Sequence, residues 1–154
     1  MKPKVQSHVD HAERAAVLTT DFDHPIEVVW TLFSDPAKLE RWWGPPGMPM
    51  TVDRHDLRPG GTVEVTVTTD GGVIRGHWTI RAVDAPTHLS FTFESDGLDP
   101  TAITVDITAT SDASATMAIT ARFVTDDDLR HALDIGFTEG LARSCASAHA
   151  VIGS

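Results

Sequence analysis

From Thr51 to Val124 the chain alternates apolar and polar residues with period two. Turn-forming clusters cut this stretch at Pro59-Gly60-Gly61, Asp70-Gly71-Gly72, Asp84-Ala85-Pro86, Asp96-Gly97 and Ser111-Asp112-Ala113. A helix cannot carry that period, because successive side chains point to opposite faces only along a strand. The division therefore predicts six strands. Val63, Val65 and Val67 share one phase, as do Ile74, Gly76, Trp78 and Ile80, then Leu89, Phe91 and Phe93. Ile103, Val105 and Ile107 repeat the pattern, and Met117, Ile119, Ala121 and Phe123 continue it. Strands written this way form an antiparallel sheet with one face buried and the other wet. Trp78 falls on the buried phase.

The flanking segments decide what covers that face. Residues 1–13 are polar and follow neither period, so a flexible N-terminal arm is expected there. Arg14 to Phe22 is rich in apolar and β-branched residues and reads as a first strand. Asp23 or His24 would then cap a short helix with Pro25 in its first turn; Ile26, Val29, Trp30 and Phe33 follow at helical spacing as far as Ser34. Asp35-Pro36 breaks it, and a second short helix over Pro36 to Trp43 ends at Gly44-Pro45-Pro46-Gly47. From Asp127 to Ile152, Leu129, Leu133, Phe137, Leu141, Cys145, Ala148 and Ile152 recur at steps of three and four. That spacing predicts one long amphipathic helix, and the inner face of the sheet is the apolar surface large enough to receive it. Residues 14–154 are thus expected to form a single α+β domain: seven strands, two short helices after the first, and a long C-terminal helix.

Composition narrows the chemistry. A formal charge of -10 repels polyphosphate, so no nucleic acid partner is expected. The start lacks the apolar core of a signal peptide and no later run is long enough to span a membrane, so a soluble, cytoplasmic protein is expected. The single cysteine, Cys145, excludes an intramolecular disulfide and a cysteine zinc cage, and its place on the apolar stripe points to packing. No pair among the eight histidines has the helical spacing with an intervening Glu that a zinc hydrolase uses; no metal and no cofactor are expected. There is no Gly-x-Ser-x-Gly elbow, and the glycine pairs join strand to strand where a phosphate cradle needs a helix N-terminus.

Three features break the local rules. Between Met50 and Leu57 both phases carry ionisable groups, Arg54 and Asp56 on one and Asp53 and His55 on the other. This is either a charged edge strand or a functional strand, with His55 as the preferred inward group. Trp42 and Trp43 are adjacent and cannot both point into one core, so one should reach the lip of the sheet. Gly136 and Gly140 each weaken a helix by roughly 1 kcal/mol relative to Ala. They mark either close approach to the sheet or space for a ligand; contact is expected at Gly136 and space at Gly140.

As a set, Pro25-Ile26-Glu27-Val28-Val29-Trp30, Asp35-Pro36, Leu39-Glu40-Arg41-Trp42-Trp43-Gly44-Pro45, Asp56-Leu57-Arg58-Pro59-Gly60-Gly61 and Val83-Asp84-Ala85-Pro86-Thr87-His88-Leu89-Ser90-Phe91 resemble the SRPBCC (START-like, Bet v-like) superfamily. Within it, they are similar to the bacterial subgroup related to the heat-shock-protein-90 ATPase activator, and Gly136-Phe137-Thr138-Glu139-Gly140-Leu141 looks like that subgroup's last helix. The resemblance covers about Ala15 to Ile152. It implies a helix-grip fold, in which a curved antiparallel sheet wraps a long C-terminal helix around a cavity. Relatives of this kind bind hydrophobic molecules, and some are cyclases or hydrolases. The subgroup has no shared catalytic motif, so no catalytic residue is assigned.

The expected function is binding of a small hydrophobic or amphipathic ligand between the sheet and the last helix. The expected lining is Trp43, His55, Val65, Trp78, Phe91, Met117, Phe137, Gly140 and Leu141. One alternative is a polyketide cyclase-like or hydrolase-like enzyme using His55, Asp53 or Arg54 as acid-base groups; another is a co-chaperone-type ATPase activator. A homodimer is left open.

Overall fold

Alternation in the middle of the chain becomes one antiparallel sheet, whose two flanks differ from expectation. The computed structural model describes residues 5–43, 48–95 and 98–152. The order is β1 (Val5–Asp10), β2 (Ala15–Phe22), α1 (Ile26–Ser34), α2 (Pro36–Trp42), β3 (Met50–His55), β4 (Thr62–Thr69), β5 (Gly72–Asp84), β6 (His88–Ser95), β7 (Leu98–Ser111), β8 (Ser114–Arg122), α3 (Asp126–Asp134) and α4 (Phe137–Ile152). The eight strands lie side by side as β1-β2-β8-β7-β6-β5-β4-β3. Every neighbouring pair is antiparallel. The expected turns at 44–47 and 96–97 lie outside the described residues.

The apolar phase read from the sequence faces inward throughout. Val63, Trp78, Leu89, Val105, Met117 and Ile119 have no exposed surface, and their strand neighbours are partly or fully open to water. Four register shifts, between Val52 and Arg54, Ile80 and Ala82, Phe93 and Ser95, and Ala109 and Ser111, insert extra residues into the ladders. Such bulges bend a strand and increase its twist, which lets a sheet curl around a helix. The first shift also accounts for the broken alternation of β3, an edge strand.

Two expectations are corrected here. Residues 5–10 are not a loose arm: they form β1, paired with β2 from Val5 opposite Thr20 to Asp10 opposite Ala15. Polar Gln6, Ser7 and His8 stay exposed, which an edge strand allows, while Val5 and Val9 pack against the core. The sheet therefore has eight strands where seven were expected. The C-terminal segment is likewise two helices. Thr125 caps α3 by accepting the Asp128 N–H at 3.0 Å. At its other end the Ile135 N–H donates to His131 O and the Gly136 N–H to Leu133 O. Gly136 then takes φ +82° and turns the chain into α4. The apolar stripes of both helices, Leu129 and Ala132 on one and Leu141, Cys145 and Ala148 on the other, join the same core, so the three-four spacing runs through the break without registering it.

The short helices are placed largely as read. Asp35 caps α2 by accepting the Ala37 N–H at 3.0 Å, with Pro36 at the first helical position. Pro25 itself stands at the N-cap of α1, with no side-chain cap, so neither Asp23 nor His24 has that role.

Candidate functional site

α4 lies over the β1 and β2 side of the sheet and against α1 and α2. Between its N-terminal half and part of the inner face of β3 to β7 a cavity of about 450 Å³ opens. Its strand wall includes Met50, Val65, Val67, Ile74, Phe93 and Ile103; Gly136, Phe137, Gly140 and Leu141 close it from the helix side. Trp43 forms the end wall, and Met48, Ile74 and Ile135, all exposed apolar side chains, stand at the mouth. Most of the lining is apolar, and Thr69, Ser95 and Ser144 add hydroxyls.

Local sequence explains each wall. Gly76 pairs with Val65 on one side and Ser95 on the other. A Cβ built on Gly76 would stand 2.9 Å from Val65 Cγ2 and 3.2 Å from Phe93 Cε1, so glycine lets these two side chains close over the strand. At Gly140 an added Cβ would meet nothing within 4 Å. The expected space at Gly140 is present. The expected close contact at Gly136 is not: an added Cβ there would meet only Glu139 Oε2, at 3.8 Å, and the residue is glycine because of its positive φ.

Of the adjacent tryptophans, Trp42 is buried, its Nε1–H donating to Leu32 O at 2.8 Å. Trp43 is the one that reaches the cavity. Its ring packs edge-on against Trp78 at 4.9 Å between centroids and against Phe91 at 6.1 Å. Trp78 and Phe91 stack on each other at 4.0 Å. The Ser144 hydroxyl, on α4, donates to Trp43 O at 3.2 Å, tying the end of α2 to the helix above it.

Of the nine residues expected at a binding site, five line this cavity: Trp43, Val65, Phe137, Gly140 and Leu141. Trp78 and Phe91 stand behind Trp43 as support, and Met117 is buried on β8 opposite Thr20 and Ile107. His55 does not face the cavity; its Nε2 is 2.8 Å from Phe33 O, to which it donates. The bulge in β3 puts this ring on the inner face, opposite buried Val63, as expected, but at α1 and away from the cavity. Most of the remaining lining was missed, Met48 and Met50 among it, although the inward phases of β4 to β7 already contained Val67, Ile74, Gly76, Phe93 and Ile103.

The other polar groups are engaged elsewhere. Asp53 accepts from Thr66 on the outer face of the sheet, and Arg54 is exposed. His149 shares a 2.8 Å hydrogen bond with Thr20 and stacks on Phe22 at 4.1 Å. Burial holds its ring below the usual imidazole range, His24 adding to the shift and Asp23 and Asp21 opposing it. Burial also pushes the Cys145 thiol up to about 12, which leaves it protonated and unreactive. Among the described residues no group of three His, Cys, Asp or Glu side chains could hold a metal, and no helix is long and apolar enough to cross a membrane.

The model of the Activator of Hsp90 ATPase homolog 1-like protein family matches residues 23–148, from the turn before α1 to the last turns of α4. The chain belongs to this family. Protein Ms6760 from Mycobacterium smegmatis, known from a crystal structure, is 29% identical, with a TM-score of 0.86 over 97% of this chain and 96% of that one. A protein from Arthrobacter aurescens, solved by NMR, is 27% identical with a TM-score of 0.91 over 96% of this chain and 91% of that one. CalU16 from Micromonospora echinospora, at 15% identity and a TM-score of 0.60 over 98% of this chain and 73% of that one, shares the fold alone. No curated protein matches the chain. The helix-grip architecture and the family are thereby established, and the cavity is where members of one fold can differ in function.

Proposed function

We propose that this protein binds a small hydrophobic or amphipathic molecule in the cavity between the sheet and α4. The observation that carries the reading is the combination of about 450 Å³ of apolar-lined space with a helix position, Gly140, that has nothing within 4 Å of an added side chain. A space of this size falls in the range of small-molecule sites. Any larger residue at Gly140 would narrow this space and would also favour the helix. The groups first considered for acid-base chemistry, His55, Asp53 and Arg54, stay outside the cavity, so binding is favoured over turnover.

Native mass spectrometry of the purified protein, with a thermal-shift screen of lipids, aromatic metabolites and polyketides, tests the reading. A co-purified mass that is lost on denaturation, or a saturable rise in melting temperature with one ligand class, supports it. No adduct and no shift with any class overturns it.

A further inference from the structure

The lining carries more information than its apolar character. Among the described residues no Asp, Glu, Lys, Arg or His lines the cavity. Of its three hydroxyls, Thr69 already donates to Gly72 O at 3.0 Å, and Ser144 donates to Trp43 O and Gly140 O at 3.2 Å. Ser95 makes no side-chain hydrogen bond with another described residue. The charges around the walls are mostly negative. Glu139 Oε2 comes within 3.8 Å of where a Cβ on Gly136 would stand. Behind Val65, Gly76 and Ser95, the outer face of the sheet holds Asp53, Glu64 and Glu94 against Arg75 and His77. The whole chain carries a formal charge of -10.

We infer that the cavity selects uncharged ligands and rejects carboxylates of the same skeleton, with the Ser95 hydroxyl as the polar contact that it offers among the described residues. The inference rests on the binding reading above and names the class of molecule bound. An ionised carboxylate entering this space would lose its hydration and find no cation in return, and burying an unpaired charge is heavily unfavourable. Nearby carboxylates and the acidic net charge oppose it further. A neutral alcohol of the same shape loses little, because one hydrogen bond satisfies it. Trp43, Phe93 and Phe137 with the thioethers of Met48 and Met50 accept its apolar body.

Matched pairs test this by isothermal titration calorimetry at pH 7: 2-naphthalenemethanol against 2-naphthoate, and 1-decanol against decanoate. The alcohol is expected to bind at least tenfold more tightly in whichever pair binds, and Ser95→Ala to weaken that alcohol severalfold. Thr69→Lys supplies the missing cation at the cavity wall and should raise carboxylate affinity at least fivefold. Ile74→Lys, at the exposed mouth, gives the same reading if the first variant does not fold. A carboxylate that binds as tightly as its alcohol in the parent protein overturns the charge selection and leaves the binding reading intact. So does a lysine variant with unchanged carboxylate affinity. If no member of either pair binds, the selection is overturned, and the binding reading stands or falls by the screen above.

Discussion

Gly136 and Gly140 are four residues apart and place opposite demands on a side chain. Gly136 sits at φ +82°, in the left-handed region that an L-residue occupies at a cost of about 1–2 kcal/mol, and it joins α3 to α4 there. Gly140 is helical with open space beside it. We therefore expect Gly136→Ala to lower stability by about 1 kcal/mol or more and Gly140→Ala to raise it by about 0.5–1 kcal/mol. Urea denaturation of the two variants checks this; equal losses at both would mean that Gly140 faces protein and not space. Sequence reading separated the two glycines but misjudged Gly136, because a spacing pattern records which residues lack a side chain and not which of them turn the backbone. His55 is on the inward face as expected, opposite buried Val63, but it points to α1 and not to the cavity. One inserted residue between Val52 and Arg54 rotates the side chains beyond it, and no alternation count reveals where a ladder slips.

At the level of elements, β2 and β4 to β8 were legible because their buried phase is apolar but for Thr20 and Thr101, and β1 was not because half of it is wet. Its signals were local ones: Val5 and Val9 share a phase, and the Asp10 side chain accepts the Glu13 N–H at 3.2 Å in the turn toward β2. The strand nonetheless adds two valines to the core and satisfies the open edge of β2. Half-burying two valines contributes about 1 kcal/mol each, less the entropy of ordering the strand. Deleting residues 1–10 should accordingly lower stability by about 1–2 kcal/mol while the rest still folds cooperatively. The urea midpoint should fall with the slope nearly unchanged; an unchanged midpoint would mean that these residues are an arm after all.

At the scale of the whole molecule the cavity is the space left where α4 leans toward β1 and β2, and a space has no periodicity of its own. Only its boundary residues left traces in the sequence, Trp43 as the second of two adjacent tryptophans and Gly140 as a small residue on an apolar stripe. Stability offers a way to read that space directly. A ligand that binds only the folded state stabilises it by RT ln(1 + [L]/Kd), about 2.7 kcal/mol at a hundredfold excess over Kd. In a chain of 154 residues each kcal/mol moves the melting temperature by about 2–4 °C, so 2-naphthalenemethanol at that excess should raise it by about 5–10 °C. Gly140→Leu intrudes into the same space from within and obstructs it at α4. We expect that variant to melt no lower than the parent without ligand, because the side chain enters open space and favours the helix, and to gain almost nothing when the alcohol is added. Differential scanning calorimetry of both proteins with and without the alcohol measures the two increments. A full ligand increment in Gly140→Leu would place the bound molecule outside this cavity, whereas loss of the increment with stability retained ties binding to the space beneath α4.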